Sequence, residues 1–491
     1  MIFIIKGNRS VKLALSILLA LALWQAGTVL FSWYMPLGSF LVATPTSAFG
    51  RLLSLLVKAD FWLRVWFSFA RIAAGFFAAL AVGSLLAVAA GRFPLLETLF
   101  WPYITVIKAT PVASFIILCL IWMGSANLSA TISFFMVLPI VYSNVLQGIR
   151  STDAQLLEMA EVFRVGWGRR MIYIYLPQLK PYLISACSVA LGMTWKSGIA
   201  AEVIGIPRGS IGEMLYEAKV YLNAPDLFAW TAVIILISAA FEKAFMALLK
   251  KAYEKLEGLG KWEGALPGEP AGFESAGYAM GAGEDIVIRG LNKAYGGKQV
   301  LKDFTATFPA GQCTCVMGDS GIGKTTLLNI LMGLAPPDAG SVTGLEGKKP
   351  AAVFQEERLC DSFSAVANVS LACGKKAAPD IIASHLAALG LGESLNQPTR
   401  ELSGGMRRRV AIIRAVLAGG QVLYLDEPLK GLDEHTREVV ADYVREHTKG
   451  ITTLMVTHSR EEVDMMGGIL LTLEHPLDRI NKIGQYGHPT G

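Results

Sequence analysis

Apolar and polar positions divide the chain into two halves. Up to about residue 250 the apolar residues come in long runs, at Leu13–Trp33 and at roughly 66–91, 98–123, 127–149, 179–200 and 226–249. Each is long enough for a helix to cross a bilayer. The pattern predicts an all-α membrane domain of about six transmembrane helices over residues 1–250. Pro111 falls inside the third run, which predicts a broken or partly interfacial span. The first run follows the basic residues Lys6, Arg9 and Lys12 and exceeds the apolar part of a cleaved signal, so it is read as a retained span. An amphipathic stretch around 46–64 is expected on the outer membrane interface. Residues 251–283, rich in Gly, Ala and Glu with two prolines, read as a flexible linker. From 284 to 491, strand-length apolar runs alternate with helical patterns, which predicts an α/β domain carrying a helical subdomain.

Composition agrees with that division. A 53% hydrophobic and 17% charged chain of 491 residues is too apolar to be wholly soluble and too long for one domain. The net charge of +5 raises the question of nucleic acid. Its basic residues, however, gather beside the spans: Arg92, then Arg150, Arg164, Arg169 and Arg170, then Lys250, Lys251, Lys255 and Lys261. That is the positive-inside pattern, so membrane lipid is the expected partner and nucleic acid is not. Arg51, Lys58 and Arg64 break it in the first outer loop. The reading places a multi-pass protein in the cytoplasmic (inner) membrane, with its N-terminus and second half in the cytoplasm. Six cysteines lie in apolar or mixed stretches without a C-x-x-C, and Cys313 and Cys315 read as buried strand residues.

The stretch Gly318–Thr325, GDSGIGKT, fits G-x-x-x-x-G-K-[ST] between a strand-like run and a helical one. Backbone N–H groups of Gly318, Asp319, Ser320, Gly321 and Gly323 would curl round phosphates at a helix N-terminus, with Thr326 just inside it. Lys324 would reach the β- and γ-phosphates of ATP, and Thr325 would ligate Mg²⁺. About 100 residues on, QVLYLDEP ends an apolar strand in two acids. Asp426 is expected at the metal and Glu427 as general base. LSGG, with Ser403, Gly404 and Gly405, opens a helix and forms a second anion-cradling terminus.

With LSGG between the two nucleotide motifs, residues 285–480 resemble the ATP-binding cassette (ABC) ATPases. The resemblance implies that Tyr295 stacks on adenine and that Gln355 is the Q-loop glutamine, at the metal and in catalysis. It makes Asp433 the D-loop aspartate and His458 the switch histidine. Met406 stands where the family often has Gln, and LKGLD replaces the commoner S-A-L-D. The resemblance implies a head-to-tail homodimer, each ATP held between one P-loop and the partner copy's LSGG.

Residues 158–177 resemble the EAA loop of importer permeases through Glu158, Ala160, Ile174, Leu176 and Pro177. Arg164 stands at the family's glycine and Met159 at its first alanine. The resemblance implies that Glu158, Ala160, Arg164 and Gly166 belong to a coupling segment docked near Gln355. Segments 68–87, 108–124 and Ala200–Glu202 are similar to nitrate/taurine-type permeases. That likeness implies ATP-driven uptake of a small anionic or heteroaromatic nutrient handed over by an extracytoplasmic substrate-binding protein. Two alternatives remain: an ABC exporter half-transporter, and a non-transporting membrane ATPase that passes force to an external partner. Lys196, on the fifth span, either snorkels, pairs with Glu202 through an unwound Ser197–Gly198, or faces the substrate path.

Overall fold

A computed structural model describes residues 9–34, 42–264, 284–374 and 377–473. The basic segment at Lys6 and most of the expected linker, 265–283, lie outside the described residues. The chain forms two compact units: Met1–Ser151 with Gln178–Ala252, and Thr152–Pro177 with Tyr253–Gly491.

The first unit is helical: α1 (Arg9–Tyr34), α2 (Pro45–Leu56), α3 (Ala59–Arg92), α4 (Pro94–Ala109), α5 (Val112–Trp122) and α6 (Leu128–Arg150). After α7 (Ala154–Val162), which belongs to the second unit, come α8 (Leu176–Gly205), α9 (Ile211–Val220) and α10 (Ala224–Glu257). Among the described residues, four helical segments are long and apolar enough to span a bilayer: Ala59–Arg92, Ser125–Arg150, Trp167–Gly205 and Ala224–Glu257. The pair α4 and α5, bent by 108°, makes a fifth if counted as one span. Its break falls at Thr110–Pro111, where proline removes an amide donor. The expected first span is α1, whose apolar part is Leu18–Tyr34.

Small residues recur every fourth position along α3 at Gly75, Ala79, Gly83, Ala87 and Gly91. A Cβ at Gly75 would sit 2.2 Å from Ala130 O, one at Gly83 3.2 Å from Leu138 O, and one at Gly91 3.0 Å from Ile149. The register shows α3 and α6 running parallel at backbone contact, the packing that small residues permit between membrane helices. Gly198 of α8 closes on the same seam, where a Cβ would meet Ile72 at 2.7 Å and Ser133 Oγ at 2.8 Å. Close approach, not unwinding, explains this glycine: α8 runs unbroken through Ser197–Gly198.

The second unit carries an antiparallel sheet in the order β2-β1-β4, with β1 (Ile286–Tyr295), β2 (Lys298–Phe308) and β4 (Ala339–Thr343). Its other sheet is parallel, in the order β5-β6-β7-β3-β8: β3 (Cys313–Met317), β5 (Pro350–Val353), β6 (Val422–Asp426), β7 (Thr452–Val456) and β8 (Ile469–Thr472). Strands β6 and β7 are buried at every position, as a sheet covered on both faces requires. Its helices are α11 (Lys324–Leu331), α12 (Ala365–Cys373), α13 (Pro379–Ala388), α14 (Gly404–Leu417), α15 (Glu434–His447) and α16 (Arg460–Met466). The expected linker opens in an ordered stretch. Trp262 is 9% exposed; its backbone N–H donates to Asn396 Oδ1 and its indole Nε1 to Asp380 Oδ1, both at 2.8 Å.

Candidate active site

The expected nucleotide residues collect at the carboxyl ends of the parallel strands, where open α/β sheets bind ligands. The loop after β3 turns at Gly318, where a Cβ would lie 2.8 Å from Leu473 O. It enters α11 through Gly323 at φ 107°, a conformation that excludes other side chains. Lys324 Nζ lies folded inside the loop, donating to Gly318 O at 2.7 Å and Asp319 O at 2.8 Å. Burial lowers its pKa, opposed by the charges of Glu427, Asp426 and Asp319. Ser320 and Gly321 form the exposed tip, and Thr326 follows on the helix. Thr325 Oγ1 donates to Asp426 Oδ2 at 3.0 Å.

Asp426 ends β6, with its carboxyl raised by burial and by the Glu427 charge against the Thr325 hydrogen bond. Glu427 follows at φ 47°, a left-handed conformation held by its N–H bond to Val456 O at 2.9 Å. Its Oε1 meets His458 Nε2 at 2.9 Å and its Oε2 meets Lys430 Nζ at 2.7 Å. Burial alone would raise the Glu427 carboxyl. The Lys430 hydrogen bond and the Lys430 and His458 charges outweigh it and hold the pKa below its ordinary value.

Thr325, Gln355 and Asp426 line one cavity of about 170 Å³, joined by Gln155 from the segment ahead of Glu158. This all-oxygen donor set suits a hard divalent cation such as Mg²⁺. Ser403 caps α14, its Oγ accepting from Met406 N at 3.3 Å, and leaves Gly404 exposed beside the half-buried Gly405. Asp433 caps α15, accepting from Thr436 N at 2.9 Å. Tyr295 is half exposed at the end of β1, on the hairpin whose Val300 abuts Gly323.

Two site residues escaped the sequence reading. Buried Arg408 donates to Phe354 O at 2.6 Å, Asp426 O at 2.8 Å and Pro428 O at 3.0 Å, tying the glutamine loop to the two acids. Lys430, the lysine of LKGLD, reaches Glu427 as described. No local signal singles out Arg408: Ala411, Ile412 and Ile413, one turn on from Arg407, Arg408 and Arg409, are all buried.

The EAA-like segment belongs to this unit and docks on it. Glu158 Oε2 accepts from Arg358 Nη1 at 2.8 Å, three residues from Gln355. Met159, Ala160, Phe163 and Ile174 lie buried in the unit's core. Arg164 N bonds Glu161 O at 2.9 Å and Val165 N bonds Ala160 O at 2.8 Å, the paired bonds of a Schellman cap, with Arg164 at φ 51°. The bend survives without the glycine, and Arg164 Nη2 gains Lys348 O at 2.9 Å. Gly166 starts the next helical turn at φ −66°.

In the first unit Lys196 is exposed. Glu202 is not its partner: fully buried, it accepts from Ser68 Oγ at 2.6 Å and Gly212 N at 3.3 Å.

A P-loop ATPase site and a helical membrane unit in one chain define a membrane-bound nucleotide hydrolase. Comparison with known proteins agrees. Residues 301–430 match the family described as ABC transporter, and 79–254 match that of binding-protein-dependent transport system inner membrane components. Over 227 residues the chain is 36% identical to the aliphatic sulfonates import ATP-binding protein SsuB 1 of Rhizobium johnstonii, covering 42% of this chain and 81% of that one. The SsuB of Rhodopseudomonas palustris is 37% identical, with 38% and 70% covered. The Nod factor export ATP-binding protein I of Rhizobium johnstonii is 32% identical, with 38% and 66% covered. The chain belongs to the ABC transporters, of importer type, with permease and ATPase fused. It is a multi-pass membrane protein that binds nucleotide and couples ATP hydrolysis to import.

Proposed function

We propose that two copies of this chain form a head-to-tail pair in the cytoplasmic membrane, cassettes inside. Each ATP is held between one chain's P-loop, with Tyr295 on its adenine, and the other's Ser403–Gly405. The cargo is a small anionic or heteroaromatic solute received from a separate extracytoplasmic binding protein. The names of the sulfonate-import relatives support an anion. The Nod factor export relative covers 38% of this chain, and the docked EAA-like segment speaks against reading this chain as an exporter. Thr325, Gln355 and Asp426 would hold Mg²⁺, which neutralises phosphate charge when bound.

One observation carries the hydrolytic reading: the ionised Glu427 carboxylate stands beside the Thr325–Asp426 pair, oriented by His458 at 2.9 Å. Glu427 takes the proton of the attacking water, and His458 keeps the carboxylate aimed. In Glu427→Gln, ATP binding persists while turnover falls at least ~100-fold. Near-normal hydrolysis by the purified variant would overturn the assignment.

A further inference from the structure

Among the described residues, Arg71 on α3 of the first unit makes no hydrogen bond to an acid, and its charge acts at a distance on the buried Glu202. Between Arg71 and Arg92 on α3 lie about 20 uncharged residues, Ile72–Gly91. At 1.5 Å per residue that is roughly 30 Å, the thickness of the hydrocarbon layer. The two arginines therefore bracket the layer. Arg71 stands at the end opposite the one where α6 and α10 lead out of the unit and α8 leads in. At that boundary the guanidinium reaches the headgroup region, where a solute arriving from outside can meet it.

Two other arginines at this end have acidic partners. Arg64 is held by Asp60 at 2.6 Å and Glu213 at 2.7 Å, and Arg51 pairs with Asp226. Arg71 has no ion pair among the described residues. Its guanidinium carbon lies 3.7 Å above the Phe67 ring, and Nη1 is buried without a hydrogen-bond partner. The nearest candidate acid, Glu202, spends one oxygen on Ser68 and Gly212, which pins the start of α9 to α3 and α8. Its other oxygen is also buried and unpartnered. Buried donors are rarely left so; because Nη1 is enclosed, an acceptor from outside needs room at the rest of the guanidinium.

That room exists. Arg71 lines a cleft of about 430 Å³ with Trp66, Phe67, Leu63, Arg64 and Asp60. Among the residues that line it, Arg64 and Arg71 are cationic and Asp60 anionic, so the lining carries one net positive charge. A planar fork of N–H donors recognises oxyanions by paired hydrogen bonds. Trp66 and Phe67 beside it offer aromatic surface to an uncharged body.

We propose that the cleft around Arg71 is an oxyanion-binding site at the outer mouth of the membrane unit. It takes one carboxylate, sulfonate or phosphate group on a small apolar or aromatic body. The proposal rests on the reading that a small anion is imported, and it places recognition at Arg71 instead of Lys196. A phospholipid phosphate offers the same oxyanion chemistry, and the experiment separates the two sources.

The full-length protein in phosphate-free maltoside is titrated with benzenesulfonate, with its uncharged analogue methyl phenyl sulfone, and with dihexanoyl phosphatidic acid. Benzenesulfonate binds the wild type and the sulfone does not. Arg71→Gln weakens that binding roughly 10- to 100-fold, Arg71→Lys falls between, and Lys196→Met leaves it unchanged. ATP hydrolysis without added solute stays at the wild-type rate in all three variants, and their single-species elution in maltoside shows that the membrane unit folds. Arg71-dependent binding of the phosphatidic acid alone supports the cleft and identifies a lipid as its occupant. Benzenesulfonate binding unaffected by Arg71→Gln overturns the site. So does failure of both anions to bind the wild type. Neither result touches the Glu427→Gln test of the hydrolytic reading.

Discussion

Trp262 should hold the start of the linker onto the nucleotide-binding unit, and the size of that hold can be worked from its contacts. The indole is 9% exposed. Burying most of its 200 Å² or so is worth about 5 kcal/mol at 25 cal/mol per Å², and measured Trp→Ala costs of about 3–5 kcal/mol agree. Asn396 Nδ2 also returns a bond to Trp262 O at 2.8 Å, which fixes the backbone on both sides of the Trp262 side chain. Gly260 lies beneath it against Ala367, where a Cβ would come within 3.1 Å. Detachment of 258–264 would leave the rest of the core intact, so the whole cost falls on local opening.

Lys261 is exposed and sits one residue before the anchor, which makes trypsin the natural probe. In Trp262→Ala, 3–5 kcal/mol raises the open population by about 10²–10⁴-fold, and cleavage after Lys261 rises with it. Trp262→Phe keeps most of the packing and loses the indole bond to Asp380. That is worth about 1 kcal/mol and about 5-fold in rate. Nucleotide binding measured in parallel confirms that both variants are folded. If Trp262→Ala changes cleavage by less than 10-fold, the anchor is not what holds this segment.

Cysteines at Glu158 and Arg358, whose side chains meet at 2.8 Å, should cross-link through a short bismaleimide with a yield that changes on adding ATP. No product under any condition would mean that the segment does not dock there. His385 supplies a pH test. Burial, then the His447 charge, pushes it down to about 4 from 6.5. The unfolded chain therefore takes up the proton first, and stability present above pH 6.5 is lost as pH falls toward 4, by about 3 kcal/mol. His385→Gln should flatten the fall in urea midpoint across that window, and an unchanged slope would refute it.

The nucleotide motifs were legible because each is a run of adjacent residues whose chemistry needs that spacing. The strand-loop-helix that carries Lys324 and the strand end that carries Asp426 are local, and both came out as read. What joins them was not legible. One arginine of the Arg407–Arg409 run turns inward to bond three loops, and only the packing of α14 decides which. The membrane unit hid more. The sequence reading singled out Lys196 and passed over Arg71, because depth follows from counting residues while partners depend on which helix lies alongside. Glu202 shows the limit, since its one hydrogen-bonded oxygen is met from α3 and α9 and not from Lys196, six residues earlier on its own helix.

Arg164 is the place where a departure from the family pattern can be weighed against geometry. The backbone there is left-handed at φ 51°, which costs a non-glycine residue about 1–2 kcal/mol. The two Schellman bonds fix it regardless of side chain. Arg164 recovers part of the cost through its bond to Lys348 O at 2.9 Å, about 1 kcal/mol at an exposed site. Arg164→Gly removes the strain and the bond together, so the two should nearly cancel, leaving stability and uptake within about 2-fold of wild type. Arg164→Val loses the bond and adds β-branched crowding in the same conformation. The cap should then loosen, with ATP hydrolysis persisting while uptake per ATP falls. Uptake measured in proteoliposomes against hydrolysis in the same preparation decides it. Loss of uptake in the glycine variant would show that the arginine side chain, and not the shape of the bend, carries the coupling.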